Sequence, residues 1–444
     1  MGFLGAPSPT LSPRPMRILL VAAFLFVSAP ASAQNIVDQV ADALEPKVIE
    51  WRRDFHANPE LSNREFRTAG IVAEHLRALG MEVTTEVAHT GVIGVLRGAH
   101  PGPVVALRAD MDALPVLERV DLPFKSVVTS LYRGDEVPVM HACGHDTHIA
   151  MLMGAAEALA GMREDLHGTV KFIFQPAEEG PPAGEEGGAE MMVKEGVMDG
   201  VDVIFGLHIA AGSYVGTIDY RPLGMMAAVD DFRIILHGKQ AHGSAPWLGI
   251  DPVVTAAQII NNLQTIVSRS LELTKAAAVV TVGAIHGGIR SNIIPEELEM
   301  LGTIRTFDPQ MRETLHRRFR EIVNHTAASN GATADIALPY SAHYPVTYND
   351  PDLTNQMLPT LQRTAGADNV HLIDAITGAE DFSFFAQEAP GLFVFIGGKP
   401  LSVPEEVSVS HHTPDFFVDE SGMKLGVRTL LNLTLDYMEA GSIQ

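Results

Sequence analysis

The sequence predicts a layered α/β domain with a mixed sheet, interrupted by an inserted two-layer domain of ferredoxin-like βαββαβ order. Strand-like and helix-like segments alternate from residue 37 to about residue 221, a pattern typical of layered α/β domains. From about 222 to 345 the order changes to strand, helix, strand, strand, helix, strand. The first pattern then resumes, so we interpret the middle part as an insertion.

The segments before the insertion place polar residues at strand ends. RTAGIVAEHLRALG (67–80) predicts an amphipathic helix that ends at a glycine, and VVALRADMDALP (104–115) predicts a buried strand that runs into a loop. HIAMLMGAAEALAGM (148–162) predicts a helix, whereas GTVKFIFQPAEEG (168–180) and VDVIFGLHIA (201–210) predict strands. Ligands of α/β domains gather at such strand ends. The polar residues there are Asp110, Asp112, Glu178, Glu179 and His208.

The inserted part and the C-terminal part define the remaining domains. DFRIILHG, AAVVTVGAI, ELEMLGTIRTF and TADIALPY predict strands, and two long amphipathic segments between them predict helices. After the insertion, LTNQMLPTLQRTAG predicts a helix and GLFVFIGG a strand. We therefore predict that residues 34–221 and 346–444 form the α/β domain and that residues 222–345 form the inserted domain.

The N-terminus predicts export. Two arginines precede the apolar run ILLVAAFLFV (18–27), and small residues follow it, as in a secretory signal peptide cleaved after Ala33. The run is shorter than the roughly 20 apolar residues that span a bilayer. A buried N-terminal helix is the alternative. We expect residues 1–33 to be a signal peptide and the mature protein to be periplasmic or secreted.

Charge and cysteine content exclude several classes of protein. The net charge of −23 becomes −25 without the two arginines of the predicted signal, and the chain has no basic run. Neither nucleic acid nor a membrane surface is therefore an expected partner after signal cleavage. Cys143 is the only cysteine, which excludes an internal disulfide and the P-C-x-x-C pair of zinc deaminases. A lone thiol in an oxidising compartment is expected to be buried or bound to metal.

Metal-binding residue types recur in four separated segments. Cys143 and His145 lie two apart, so in an extended loop both side chains can point to one side. Glu178 and Glu179 would point apart in extended backbone, so that one binds metal while the other faces the substrate. A lone histidine at a strand end is more often structural, but four such segments and the only cysteine together predict a metal site. The segments are HACGHD, QPAEE, GLH and HHTP.

A series of motifs extends in order from Trp51 to Glu420: WRRDFHANPELSNRE, LRADMDALP, MHACGHDTHIAMLMGAAE, QPAEEG, GLH, GKQAHGSAP, IDPV, SNIIPEE, GTIRTF, GAEDFSFF and HHTPDFFVDE. This series resembles the M20 family of metallopeptidases and amidohydrolases. It is most similar to the branch of hippurate hydrolases, N-acyl amino acid amidohydrolases and auxin-conjugate hydrolases. The resemblance implies a metal-dependent hydrolase that cleaves the amide bond of N-acyl or N-aroyl amino acids. A metallo-carboxypeptidase or dipeptidase that acts on short peptides is the alternative.

The resemblance also implies two divalent metal ions per subunit. His412 is preferred to His411 because the family spacing is His-x-Pro. His141 and His148 are not assigned to metal by the family pattern and are expected either to be structural or to support a metal ligand. Zinc, manganese, cobalt and nickel all suit ligands of this kind, and the sequence does not select among them. The implied ligands are Cys143, His145, Glu179, His208 and His412.

Two acidic residues are assigned to the reaction by the same resemblance. Glu178 would be the general base that takes a proton from a metal-bridging water and later protonates the leaving amine. Asp112 would orient a metal ligand, with Asp110 as the alternative for that role. A non-catalytic binding protein of the same fold is the remaining class, and the presence of Glu178 with a full ligand set argues against it.

The inserted domain is implied to act as a dimerisation and lid domain of a homodimer. His242 would stabilise the oxyanion in the active site of the neighbouring subunit. Asn292 and Arg305 would bind the substrate's carboxylate, for which a bidentate arginine is suited; a surface position at a strand end is the alternative for Arg305. Trp247 stands where the branch often has histidine, which predicts a bulkier and more apolar pocket wall.

Overall fold

The computed structural model describes residue 2 and residues 29–341, 343–407 and 409–441. The apolar run 18–27 of the predicted signal peptide therefore lies outside the described residues, and the signal peptide stays a prediction. Within the described ranges, no helix combines the length and the hydrophobicity that a membrane span requires.

The described residues form the following strands and α-helices. The strands are β1 (Glu82–Val87), β2 (Gly91–Arg97), β3 (His100–Asp110), β4 (Thr129–Tyr132), β5 (Asp135–Pro138), β6 (His167–Gln175), β7 (Val203–Tyr214), β8 (Ile218–Tyr220), β9 (Leu223–Met226), β10 (Ala228–His237), β11 (Ala241–His242), β12 (Ala278–Gly287), β13 (Ile293–Ile294), β14 (Glu297–Thr306), β15 (Thr333–Ala337), β16 (His343–Tyr344), β17 (Thr347–Asn349), β18 (Val370–Leu372) and β19 (Gly391–Lys399). The α-helices are α1 (Ala29–Ala57), α2 (Phe66–Ala78), α3 (His145–Gly161), α4 (Gly188–Lys194), α5 (Pro252–Thr265), α6 (Pro309–Ser329), α7 (Pro351–Ala365), α8 (Phe382–Glu388) and α9 (Met423–Gly441).

The larger sheet is mixed, as predicted. Its eight strands lie in the order β1-β2-β6-β3-β7-β19-β8-β18. The central strands β6, β3, β7 and β19 are parallel to their neighbours in this group. Strands β1 and β2 pair antiparallel, and β8 pairs antiparallel with β19 but parallel with β18. Because the central strands are parallel, their carboxyl ends lie at one edge of the sheet. Asp110 ends β3 and Gln175 ends β6 at that edge.

Helices cover both faces of this sheet, so its central strands are apolar on both sides. Alternate residues of β3 show the arrangement: Val105 and Leu107 belong to the core beneath α1, α3, α7 and α9, and Ala106 belongs to the core beneath α4 and α8. Helix α3 is buried along nearly its whole length, which agrees with a sequence that is apolar all round. The metal-ligand segments around this helix are thereby held by a rigid core.

The inserted unit has the predicted βαββαβ order, formed by β10, α5, β12, β14, α6 and β15. Its antiparallel sheet has the order β12-β14-β10-β15, and β16 also pairs with β10. Both helices begin at an Asp-Pro pair: Asp251 accepts the N–H of Val253, and Asp308 accepts the N–H of Met311. Strand β12 lies at an edge of the sheet. The domain boundaries at 222 and 345 stay predictions.

Candidate metal centre

The two adjacent glutamates lie in the loop that follows β6, which we call the carboxylate loop (residues 176–187). Both face His145, whose Nε2 lies 3.9 Å from Glu178 Oε2 and 4.0 Å from Glu179 Oε1. The expectation that their side chains point apart was wrong, because they follow Ala177 in a turn in which Ala177 has a φ of 53°. Both carboxylates can therefore act at one centre.

Cys143 and His145 are joined by a left-handed glycine rather than by an extended loop. Gly144 has a φ of 97°, and an added Cβ would lie 2.3 Å from Cγ2 of Ile209. Glycine therefore meets both the conformational and the steric requirement at this position. Helix α3 begins at His145, so the ligand-type side chain lies in the first turn of a buried helix.

His208 has the tautomer that a metal ligand requires. Its Nδ1 lies 2.7 Å from the carbonyl oxygen of Ile209 and donates to it. The proton is therefore on Nδ1, and the lone pair of Nε2 faces Cys143 Sγ at 3.3 Å. Burial and the neighbouring ring of His148 lower the pKa of His208 well below its usual value, which favours this neutral form.

The adjacent residues His411 and His412 differ in their contacts. His411 Nε2 accepts the N–H of Ala211 at 3.1 Å, so His411 Nδ1 carries the proton and donates to the carbonyl oxygen of Cys143 at 3.1 Å. His412 instead points Nε2 at Cys143 Sγ, at 3.2 Å, and at Glu179 Oε1, at 3.0 Å. The backbone already uses both nitrogens of His411, whereas Nε2 of His412 faces other ligand-type atoms.

His208 is grouped with Cys143 and His411 and, separately, with His145 and His148. The other four predicted ligands, together with Glu178, converge in two overlapping groups. The ligand atoms of Cys143, Glu179 and His412 lie within 4.8 Å of one another, and so do those of His145, Glu178 and Glu179. Glu179 belongs to both groups, as a carboxylate between two cations would.

The arrangement fits divalent metal ions. Nε2 of His145 is buried, and it has no hydrogen-bond partner among the described residues although carboxylate oxygens surround it. Burial lowers the pKa of His145, but Asp110 and Asp112 outweigh this effect and raise it to about 10. Burial and Glu179 raise the pKa of the Cys143 thiol well above its usual value. A thiol, imidazoles and carboxylates clustered in a region of negative potential are the donor set of a borderline-soft divalent cation.

Asp112 holds the carboxylate loop in place. Its Oδ1 accepts the N–H of Glu178 at 3.1 Å and lies 3.3 Å from His145 Nδ1. Its Oδ2 accepts the N–H of Glu179 at 3.0 Å and the hydroxyl of Ser62 at 2.7 Å. One carboxylate therefore positions His145 and both glutamates, which is consistent with the orienting role expected for it.

Both ring nitrogens of His148 are hydrogen-bonded, whereas neither nitrogen of the buried His141 has a hydrogen-bond partner among the described residues. His148 donates from Nδ1 to Asp110 at 2.6 Å and accepts the N–H of Ile209 on Nε2 at 2.8 Å, so both nitrogens are used. Asp110 also pairs with Arg108 at 2.7 Å and lies 3.7 Å from His145. His141 is buried, and burial lowers its pKa to about 3. It belongs to none of the ligand groups found among the described residues.

Sequence reasoning gave no role to the buried network behind Glu178. Arg108 donates to Glu380 at 2.8 Å and to Asp381 at 2.9 Å, and Gln175 donates to Asp381 at 2.7 Å. Burial and the nearby Glu380 raise the pKa of Glu178 well above its usual value. An arginine in the apolar strand sequence VVALRAD was the signal that could have revealed this network.

The remaining predicted site residues lie in the inserted unit. His242 and Asn292 are exposed neighbours, because β11 pairs with β13 and the N–H of Gly243 donates to the carbonyl oxygen of Asn292 at 2.8 Å. Arg305 lies in β14 and donates to Thr303 Oγ1 at 2.6 Å. Among the described residues, His242 and Arg305 form hydrogen bonds with neighbours in the insertion and not with the metal-ligand cluster. Trp247, expected as a pocket wall, is 78% exposed.

Comparisons with known proteins identify the family. The family model described as peptidase family M20/M25/M40 matches residues 106–436. Thermostable carboxypeptidase 2 of Saccharolobus solfataricus is 42% identical over 384 residues, which cover 86% of this chain and 93% of the relative. N-acetylcysteine deacetylase of Bacillus subtilis is 37% identical over 399 residues, which cover 89% of this chain and 98% of the relative.

A solved structure of similar sequence supports the same assignment. The YXEP protein of Bacillus subtilis, described as a dinuclear metal binding peptidase from the M20 family, is 33% identical with a TM-score of 0.73. The match covers 90% of this chain and 99% of that one. The resemblance read from the motifs is thus confirmed, as are the fold class and the hydrolytic nature of the protein. The chain belongs to peptidase family M20/M25/M40.

Proposed function

We propose that the protein hydrolyses the amide bond of N-acyl or N-aroyl amino acids and releases a carboxylic acid and a free amino acid. The observation that carries this proposal is the position of Glu178, whose buried carboxylate lies 3.9 Å from His145 Nε2 within the cluster of metal-ligand residues, and we assign it as the base and not as a ligand. A general base next to such a cluster is the arrangement needed for metal-assisted hydrolysis of an amide.

The proposed site holds two divalent ions through Cys143, His145, Glu179, His208 and His412. When bound, the ions lower the pKa of the attacking water and polarise the scissile carbonyl. Glu178 accepts the proton of that water and later donates it to the nitrogen of the leaving amino acid. Asp112 holds His145 and Glu178 in position for this transfer: its Oδ1 lies 3.3 Å from His145 Nδ1 and accepts the N–H of Glu178 at 3.1 Å.

The inserted unit is proposed to complete the site of a second subunit in a homodimer. His242 Nδ1 accepts the N–H of Ser244 at 3.1 Å, so the proton of the neutral ring is on Nε2, which is free to donate to a developing oxyanion. Asn292 lies beside it, and Arg305 supplies a cation for the substrate's carboxylate. Export of the mature chain belongs to the same proposal and rests on the N-terminal sequence alone.

A carboxypeptidase or dipeptidase activity is the second candidate. It is favoured by the 42% identical relative from Saccharolobus solfataricus, which is named as a carboxypeptidase. Both reactions cleave an amide next to a terminal carboxylate, so the same residues serve either one, and the difference lies in the group on the acyl side.

A substrate panel on enzyme reconstituted with each metal separates the candidates. Hippurate and N-acetyl amino acids are compared with dipeptides and longer peptides by amino acid release. We expect the highest kcat/KM for N-acyl amino acids, and a clear preference for peptides would establish the second candidate.

Glu178→Gln is the control for the mechanism. The substitution keeps the shape of the side chain and removes the base, so we expect the variant to bind metal with a kcat about 10²–10⁴-fold lower. A metal-loaded variant with wild-type turnover would exclude Glu178 as the base.

A further inference from the structure

Four consecutive residues between α1 and α2, Ser62 to Glu65 in the sequence SNRE, contact the carboxylate loop or the residue that holds it. Glu65 directly precedes α2, but its carboxylate makes no capping bond to that helix. Its Oε1 accepts the N–H of Ala177 at 3.0 Å, and its Oε2 accepts the hydroxyl of Thr90 at 2.5 Å. Glu65 is fully buried, so this position is built into the core.

The bond from Ala177 is made where the loop is strained. Ala177 has a φ of 53°, which is unfavourable for a residue with a side chain. It directly precedes Glu178, so its conformation sets the direction in which the proposed base leaves the backbone. Glu65 thus holds a strained turn next to the reacting group.

Ser62 acts on the same loop through Asp112. Its hydroxyl donates to Asp112 Oδ2 at 2.7 Å, the oxygen that also accepts the N–H of Glu179 at 3.0 Å. The other oxygen of Asp112 accepts the N–H of Glu178 at 3.1 Å. Ser62 therefore fixes the rotamer of the side chain that bonds to two consecutive amides of the loop.

The two middle residues hold the far end of the loop. Asn63 Nδ2 donates to the carbonyl oxygen of Glu186 at 3.0 Å, and Arg64 pairs with Glu185 at 2.6 Å. Gly187 packs directly on Asn63, because an added Cβ would lie 2.8 Å from Asn63 Oδ1. Residues 62–65 therefore stabilise the carboxylate loop near both of its ends.

We propose that residues 62–65 form a clamp that positions Glu178 and Glu179 for catalysis, with Ser62, Asn63 and Glu65 as positioning residues. The inference rests on the proposed function, in which Glu178 is the base and Glu179 a metal ligand. The clamp residues themselves do not touch the substrate.

The test compares Glu65→Leu, which removes the acceptor at similar size, with Glu65→Gln, which keeps an acceptor for Ala177 and a donor for Thr90. Burial and the nearby Asp112 raise the pKa of Glu65 to about 8, so the neutral amide matches a form that the native residue itself adopts near neutral pH. Amide hydrogen exchange of the carboxylate loop and steady-state kinetics are measured on metal-loaded protein.

For Glu65→Leu we expect faster exchange of the Ala177 amide and a kcat about 10–100-fold lower with little change in KM, since the base is displaced and the substrate contacts remain. Glu65→Gln should restore both readouts. The control is Arg67→Ala, one residue into α2, which removes only a surface pair with Asp54 and should change neither readout.

Two results would overturn the clamp: a Glu65→Leu enzyme with fast amide exchange and wild-type kcat, or a Glu65→Gln enzyme as slow as Glu65→Leu. If Glu65→Leu does not fold, Ser62→Ala decides instead, with a kcat about 10-fold lower expected at full metal content and a wild-type kcat contradicting the proposal. Glu178→Gln is assayed in parallel. Full activity of Glu178→Gln would refute the proposed function. If only the clamp proposal is wrong, Glu178→Gln is still inactive.

Discussion

His411 and His412 are adjacent residues with opposite hydrogen-bonding environments. Both nitrogens of His411 bond to the backbone, of Ala211 and Cys143, and this fixes its ring between β7 and the start of α3. Nε2 of His412 faces Cys143 Sγ and Glu179 Oε1. A left-handed backbone at His412, with a φ of 62°, turns the second ring into the cluster.

Substitution of each histidine should therefore have a different effect. We expect His412→Ala to bind metal at least about tenfold more weakly with little change in thermal stability. His411→Ala should retain metal but lose about 1–3 kcal/mol of stability, because two backbone groups lose their partners. Metal content after dialysis and thermal unfolding of the metal-free proteins measure the two effects. The reverse pattern would assign the ligand to His411.

Cys143 provides a test of the metal centre that does not need a substrate. Its Sγ lies 3.3 Å from His208 Nε2 and 3.2 Å from His412 Nε2. If it is a metal thiolate, bound metal should protect it from alkylation, and chelation should increase the alkylation rate by an order of magnitude or more. Mass spectrometry of this single cysteine gives the rate. Equal rates with and without metal, or normal metal binding by Cys143→Ala, would make it only a buried small residue.

At the scale of elements, two residues of α6 make charged contacts with Asp230 of β10 in the inserted unit. Arg312 donates to both oxygens of the buried Asp230, at 2.6 and 2.8 Å, and His316 lies 2.9 Å from the same carboxylate. Burial raises the pKa of Asp230, but the contacts with Arg312 and His316 outweigh burial and lower it below its usual value. The contact is bidentate and partly buried, so it contributes more than an exposed pair.

Arg312→Ala should accordingly reduce the free energy of unfolding by about 1.5–3 kcal/mol at pH 7. A carboxyl group with a lowered folded pKa stabilises the fold above its unfolded pKa, and this contribution is lost as the pH falls through the folded pKa. The difference between wild type and variant should therefore begin to shrink only below about pH 5. Urea unfolding at a series of pH values measures it.

The matched control lies on the same helix. Arg317→Ala removes only an exposed pair with Glu321 and should cost no more than about 0.5 kcal/mol at any of these pH values. An equal loss for both variants would contradict the special role of the Asp230 contact.

At the scale of the whole molecule, the proposed function includes assembly into a homodimer. Strand β12 is an edge strand that exposes Val279 and Ile285, and α5 exposes Val253 and Val254. A free edge with apolar side chains is suited to pairing across a two-fold axis. The proposed function requires such a dimer to bring the exposed His242 of one subunit to the site of the other.

Complementation between two inactive variants tests this arrangement. His242→Ala should lower kcat by about 10²–10³-fold without loss of metal, because a donor to the oxyanion is worth about 3–4 kcal/mol. Mixing it with Glu178→Gln and allowing subunit exchange should restore part of the activity, since one site of each mixed dimer then has both an intact base and an intact donor. Sedimentation verifies dimer formation. Verified mixed dimers that stay inactive would show that His242 does not act between subunits.

Strand and helix periodicity was sufficient to predict the mixed α/β domain and the βαββαβ insertion, because each buried strand or amphipathic helix has a local sequence pattern. The short strands β8 and β18 and the hairpin of β4 and β5 were not predicted. Their few residues carry little periodicity, and β8 pairs with β18, which lies about 150 residues away in the chain.

At the metal centre, the sequence by itself determined which residue types were available: one cysteine, two adjacent glutamates and histidines at strand ends. The tertiary structure decided how they are used. The left-handed Ala177 directs both carboxylates to His145, and backbone bonds occupy His411 but not Nε2 of His412. Only folding brings Glu65 to the carboxylate loop, more than 100 residues away in the chain, and Ser62 to Asp112, the residue that holds this loop. Hydrogen bonds between distant segments have no local signature, so these contacts could not be derived from spacing or periodicity.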